Sequence, residues 1–206
     1  EMTRQMKENL DIIDGNIVRA TDGSVLMSLG ELATEKLYSL TNCGHLTAES
    51  TYQIKNNAYS FGCTFAEVEV DIPGCRATLT NIVNVHDCGR LINPALAEAQ
   101  VHGGMSMGIG FGLSEELKFD EKTGKPLNLL DYKMATFEDH PDLHGEFVEN
   151  YEPTSAYGTK ALGEPPVCSV APAIRNAILN ATGSGLNELP LNPHRLFAKF
   201  REDGLI

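Results

Sequence analysis

The chain has 206 residues, of which 42% are hydrophobic and 21% charged, a composition that excludes a disordered polar chain and leaves room for one large domain or two small ones. Its net charge of −12, with no basic cluster to offset it, repels phosphate backbones and argues against a nucleic-acid partner. No apolar run approaches the roughly 20 residues that cross a bilayer, and the polar opening Glu1 to Asp11 lacks the apolar stretch of a signal peptide; the odd number of cysteines, with no C-x-x-C pair, reads as reduced thiols in a cytoplasmic protein.

From Glu1 to about Leu40 the pattern reads as helix-like, interrupted by turns at Asp14-Gly15 and Asp22-Gly23. Ser28 followed by Glu31 makes a capping box at the start of a short helix. Phe65 to Asp71 alternates for most of its length and Ala77 to Val85 is β-favouring; with Pro73-Gly74 between them they predict an antiparallel hairpin. Asn93-Pro94 then opens a helix rich in small residues, Asn93 as cap and Pro94 at the first helical position. Gly103, Gly104 and Gly108 weaken that helix by about 1 kcal/mol each relative to Ala. They are tolerable where a neighbouring element or a bulky cofactor comes close to the backbone.

Leu113 to Phe119 is read as a further strand, Lys122 to Pro126 as a turn, and Asp139 to Pro153 as loop. Ala171 to Ala181 has helical periodicity and stops at Gly183; Asn192-Pro193 opens a last helix that ends near Arg201.

Candidate chemistry is sparse. The five cysteines, Cys43, Cys63, Cys75, Cys88 and Cys168, contain no C-x-x-C pair, so they spell neither a zinc site nor an iron–sulfur cluster and are read as reduced thiols. Gly108-Ile109-Gly110-Phe111-Gly112 has the wrong glycine spacing for a dinucleotide fingerprint. His86, Asp87 and Cys88 are adjacent on a strand and point to alternating faces, which favours structural roles over a shared metal. No other set of side chains has metal-ligand spacing.

Glu164 stands between Gly163 and Pro165-Pro166, whose rings restrict the backbone and would hold a carboxylate in one place. Packed among apolar neighbours, such a carboxylate could act as a base near neutral pH; the bland alternative is a loop Glu that interacts with the N-terminus of the helix following Pro172. Gln100 offers one acceptor and two donors, suited to a phosphate or a pterin.

Several segments, in one order, resemble the molybdenum hydroxylase family of xanthine dehydrogenases and aldehyde oxidoreductases. They are Ala66 to Asp71, Val85 to Gly89 with Ile92-Asn93-Pro94, Gln100 to Gly104, Gly108 to Gly110, Gly158 to Pro166, and Ala173 to Ile178 with Ala181-Thr182-Gly183, Leu189-Pro190 and Pro193. The resemblance implies an α+β fold, the C-terminal half of the molybdopterin-binding region, with a mixed β-sheet and packed helices. Residues 1–50 would be a weakly matched helical lead-in, and residues 51–206 the C-terminal molybdopterin-binding domain, as an excised fragment or a split subunit.

It also implies a site. In the family, a glutamate after glycine in this motif is the base that activates a metal-held hydroxide for attack on an electron-poor carbon, and Glu164 matches it. Gln100 matches a glutamine that contacts the cofactor; Gly163 and Lys160 belong to the same motif and are candidate cofactor contacts. The implied cofactor is molybdenum-molybdopterin shared with an upstream half of the molybdenum subunit, with iron–sulfur clusters and FAD on partner domains or subunits. The expected activity is hydroxylation of a purine or other N-heterocycle with water-derived oxygen, by an assembly in which the isolated chain is inactive. Two alternatives stay open: a non-catalytic assembly or binding module of the same fold, and a relative that oxidises an aldehyde or carbon monoxide.

Overall fold

Asp14 and Gly15 both adopt positive φ, 48° and 75°, which is the geometry of a two-residue hairpin turn. In the computed structural model, which describes residues 9–39, 44–45, 47–54 and 56–206, they join strand β1 (Leu10–Ile13) to β2 (Asn16–Arg19). A second turn, in which Asp22 accepts from the Ser24 amide and hydroxyl, leads to β3 (Val25–Ser28). The three strands pair antiparallel in the order β1-β2-β3.

The helix-like reading of this segment is therefore corrected: α1 (Leu29–Tyr38) is its α-helical part among the described residues, and strands take most of what precedes it. A helix cannot pass through two consecutive left-handed residues, and each strand is too short to display an alternation of its own. The capping box at α1 forms in both directions, Glu31 N–H to Ser28 Oγ at 3.1 Å and Ser28 N–H to Glu31 Oε2 at 2.8 Å. These elements lie within the first of two compact units, Glu1–Tyr52.

The second unit, Gln53–Ile206, is built on the expected hairpin, which is longer than the sequence suggested. Strands β4 (Phe61–Asp71) and β5 (Arg76–Asp87) pair antiparallel across the Pro73-Gly74 turn, where Asp71 Oδ1 accepts the Gly74 N–H at 3.1 Å. Strand β6 (Leu143–Phe147) adds to β5 in parallel, making a mixed sheet. Residues 139–153 are thus not all loop. Parallel pairing reaches across more than fifty residues of chain, so no local turn signal announces it, and Gly145 interrupts the apolar pattern where Val101 packs against the strand.

Helix α2 (Pro94–Leu113) starts where expected, with Asn93 Oδ1 accepting the Leu96 N–H at 3.1 Å. It runs on through Leu113, so the strand expected at Leu113 to Phe119 is replaced by the end of this helix and an irregular segment with a single bridge, Phe119 to Pro126. A one-turn helix α3 (Pro165–Cys168) precedes α4 (Val170–Thr182), which stops at Gly183 with φ 74°. Asn192 caps α5 (Pro193–Glu202).

One face of the sheet carries the core. Ile82 of β5 belongs to one buried cluster with Val101, Met105 and Ile109 of α2, Ile174 and Ile178 of α4, and Phe200 of α5, all at most 1% exposed. Each such side chain stabilises the fold by about 1.5–3 kcal/mol. Asn84 and His86 continue this buried face toward the end of β5, and they carry the polar chemistry under the site.

Candidate functional site

The segment around Glu164 is fastened to the sheet at each step. The Gly158 carbonyl accepts the Arg90 N–H at 2.9 Å, the Lys160 N–H donates to the Cys88 carbonyl at 2.7 Å, and Gly89 and Thr159 form an antiparallel bridge. Gly158 has φ 74° and lies so close to the Tyr151 ring that a Cβ there would fall 2.2 Å from Tyr151 Cδ2. Only glycine satisfies both conditions.

Lys160 Nζ sits 2.7 Å from Asp87 Oδ2, with side-chain exposures of 4% and 13%, and 5.5 Å from the centre of the Phe61 ring. Asp87 also accepts from the Gly89 N–H at 2.9 Å and from Asn150 Nδ2 at 3.3 Å. Burial pushes the Asp87 carboxyl up. The hydrogen bonds from Lys160, Gly89 and Asn150, with the lysine's charge, outweigh it and hold the group below the ordinary carboxylate value.

Beyond Lys160 the backbone is held by side chains. Ser60 Oγ donates to the Ala161 carbonyl at 2.5 Å, and Gln100 Nε2, from α2, donates to the Gly163 carbonyl at 2.9 Å. Glu164 is the residue before α3 and is exposed; its side chain makes no capping hydrogen bond to that helix. The enclosure among apolar neighbours expected for Glu164 is absent among the described residues. Underneath, Asn84 Nδ2 donates to the Pro166 carbonyl at 2.9 Å.

Gln100, Gly163 and Glu164 therefore meet at one exposed surface, and Lys160 does not join them: its ammonium is turned inward onto Asp87. The three adjacent residues His86, Asp87 and Cys88 separate as the strand dictates. His86 and Cys88 are buried, whereas Asp87 belongs to the lysine. The His86 ring is buried, and burial pushes the pKa of this imidazole down against a weaker opposing interaction with the Phe61 backbone. Burial likewise pushes the Cys88 thiol up. Cys63 and Cys168 are exposed, Cys75 is buried, and Cys43 lies outside the described residues. Sequence reasoning missed Asn84, Thr64 and Ser60, which hold the segment from below. The one available signal was a polar Asn84 between Val83 and Val85 in an apolar strand.

A family model of the molybdopterin cofactor-binding domain matches residues 1–141, more than half of the chain. The chain belongs to the molybdopterin cofactor-binding family of the xanthine dehydrogenase and aldehyde oxidoreductase type. The matched span begins at residue 1, so the family likeness includes the lead-in that the motifs left weak, and it stops before Glu164. Matches to whole proteins cover the rest. The putative xanthine dehydrogenase molybdenum-binding subunit XdhA of Escherichia coli K12 is 50% identical over 100% of this chain and 28% of its own length. The aldehyde oxidoreductase molybdenum-binding subunit PaoC of the same strain is 30% identical over 93% of this chain and 26% of its own. Among solved structures, quinoline 2-oxidoreductase from Pseudomonas putida 86 superimposes with a TM-score of 0.84 at 27% identity, covering 98% of this chain and 27% of that one. Reconstituted CO dehydrogenase from Oligotropha carboxidovorans gives 0.83 at 25% identity, covering 99% and 26%. The chain thus spans roughly a quarter of the proteins it matches.

The cofactor of this family is a molybdopterin, and the surface at Gln100 fits one. A molybdopterin carries its metal on its own organic ligand; among the described residues no three His, Cys, Asp or Glu side chains converge as a metal site. That ligand needs polar contacts and room. Gln100 retains its carbonyl oxygen and a second amide hydrogen after bonding to Gly163. At Gly103, one turn along α2, and at Gly163 an added Cβ would meet nothing within 4 Å. No helix among the described residues is long and apolar enough to cross a membrane.

Proposed function

We propose that the chain is part of a cytoplasmic molybdenum hydroxylase that oxidises a purine or another N-heterocycle, for which it supplies the base Glu164 and part of the cofactor bed. The observation that carries this reading is an exposed carboxylate with no capping partner, on a segment held at Ala161, Gly163 and Pro166 by three separate side chains. A general base needs this combination: the backbone is fixed and the carboxylate oxygens are free to take a proton. The higher identity to the xanthine dehydrogenase subunit, 50% against 30% for the aldehyde oxidoreductase subunit, supports the heterocycle over the aldehyde.

When bound, the molybdenum cofactor would supply the oxidising equivalents and the site where water-derived oxygen is activated. The chain's own residues do the positioning. Gln100 stiffens the loop through the Gly163 carbonyl and offers its remaining oxygen and amide hydrogen to the pterin. Gly163 and Gly103 leave the backbone bare for close approach. Lys160 acts from beneath: its pairing with Asp87 ties the loop to the end of β5. Glu164 receives the proton at its carboxylate in a site closed by the upstream part of the molybdenum subunit, which covers the exposed Leu96, Met107 and Phe111 side chains beside Gln100 on α2. Iron–sulfur and flavin modules, as partner domains or subunits, take the electrons away.

Glu164→Gln in the assembled enzyme is expected to abolish turnover while molybdenum content stays at the wild-type level. The amide keeps the size of the side chain and loses its basicity. Normal turnover in this variant would overturn the base assignment.

A further inference from the structure

Asn84 is a fully buried amide, 0% exposed, on a strand face it shares with Leu79, Ile82 and the buried His86. Its partners can be assigned a direction. Asn84 Nδ2 donates to the Pro166 carbonyl at 2.9 Å, and Asn84 Oδ1 accepts from Thr64 Oγ1 at 2.9 Å. Thr64 Oγ1 is also 2.6 Å from Ser169 Oγ. A hydroxyl has one hydrogen, and that of Thr64 is committed to Asn84, so Ser169 must donate to Thr64. The chain of bonds therefore runs one way, from Ser169 to Thr64 to Asn84 to the Pro166 carbonyl, an arrangement in which each bond polarises the next. It leaves the protein backbone just after α3 and returns to it inside α3.

Helix α3 needs such a brace. It has four residues, a single turn, which is unstable by itself, and it begins with two prolines that bring no N–H. Glu164 is the residue that leads into it. Packing alone could fill the space beneath with leucine and valine and would spare the desolvation of an amide and two hydroxyls. Apolar contact is non-directional, however, and lets a short turn slide. Hydrogen bonds fix the Pro166 carbonyl, two residues from Glu164, in distance and angle.

We propose that Asn84 is a positioning residue for Glu164, acting through the Pro166 carbonyl, with Thr64 and Ser169 orienting its amide. The proposal rests on Glu164 being the base. Asn84 touches neither cofactor nor substrate; its effect is to hold the turn so that the carboxylate stands at one place.

The test uses the assembled molybdenum enzyme carrying Asn84→Leu, which fills the same volume without hydrogen bonds. Turnover number should fall about tenfold or more, the scale expected when a base is displaced by a fraction of an ångström. KM and molybdenum content should stay within about twofold of wild type, because substrate and cofactor contacts lie elsewhere. Hydrogen exchange read on peptides covering residues 163–169 should quicken, while α2 and α4 keep their protection. Thr64→Val should move the same readouts in the same direction, and Thr64→Ser should restore them; if Asn84→Leu does not assemble, this pair carries the test. A wild-type turnover number, unchanged exchange over residues 163–169, or a loss of activity matched by loss of molybdenum would overturn the proposal. Glu164→Gln is measured alongside. If it turns over normally, the base reading fails and the positioning role falls with it. If it is inactive while Asn84→Leu is normal, the positioning role alone fails.

Discussion

Glycines stand on both faces of helix α2, and the two faces do opposite things. On the inner face Gly104, Gly108 and Gly112, spaced four apart, let the helix pack onto α3 and α4. An added Cβ would fall 2.5 Å from Pro166 Cβ at Gly104, 2.5 Å from Val170 Cβ at Gly108 and 3.3 Å from Ala171 Cβ at Gly112. On the outer face Gly103 meets nothing within 4 Å, and its neighbours one turn away, Gln100 and Met107, are exposed. The same residue type is a packing device on one side and leaves bare backbone on the other. The inner face holds the turn that carries Glu164, and the outer face is the surface on which Gln100 reaches Gly163. The site lies where a closed underside meets an open top.

The closed underside of α2 gives the largest expected effect. Gly104→Ala drives a methyl group into Pro166 and is expected to destabilise the chain by about 1–3 kcal/mol, read as a lower denaturation midpoint. An unchanged midpoint would mean that α2 and α3 are not in close contact. The pH dependence of stability probes the same underside through His86. Its folded pKa lies below the free value of about 6.5, so on acidification the unfolded chain takes up the proton first. Stability is then full above about pH 7 and falls as the pH drops through 6.5 toward the folded value. Melting of the wild-type chain between pH 7 and 5.5 should show this loss, and His86→Leu should flatten it. Equal slopes in the two proteins would contradict a buried, neutral His86.

The open face gives the smallest effect, of opposite sign. Gly103→Ala should raise stability by about 0.8–1 kcal/mol, the helix propensity of alanine over glycine, with no clash to oppose it. In the assembled enzyme the same methyl group should lower molybdenum content, since it occupies the surface assigned to the pterin. Higher stability with unchanged molybdenum would show that the cofactor lies elsewhere.

The elements legible in the sequence are those with local chemistry. Caps at Ser28, Asn93 and Asn192, the stop at Gly183 and the hairpin turn at Pro73-Gly74 each depend on residues within one turn of each other, and the structure contains all of them. Strands β1 to β3 were hidden because four-residue strands are shorter than the window in which a period can be seen. Strand β6 was hidden because its partner is distant in sequence. The candidate site divides in the same way. Glu164, Gly163 and Gln100 stand in motifs, and the motif order carried the family resemblance. Lys160 stands in the same motif, yet its ammonium faces Asp87 from 73 positions away. Asn84 meets Pro166 from 82 positions away and belongs to no motif. A pair contact of that kind follows from the register of the sheet under the helices, which a single sequence does not display.

The proposed role of this chain is that of a part of a molybdenum enzyme acting on a heterocycle. It is tested most directly by isolating the complex from its native source through this chain, and measuring molybdenum stoichiometry together with purine hydroxylation on the same sample. Molybdenum in the complex and turnover of a purine or a related N-heterocycle are the expected result. A complex complete in its upstream part and partner modules, yet without molybdenum and without turnover, would contradict it and leave the fold as a module for assembly.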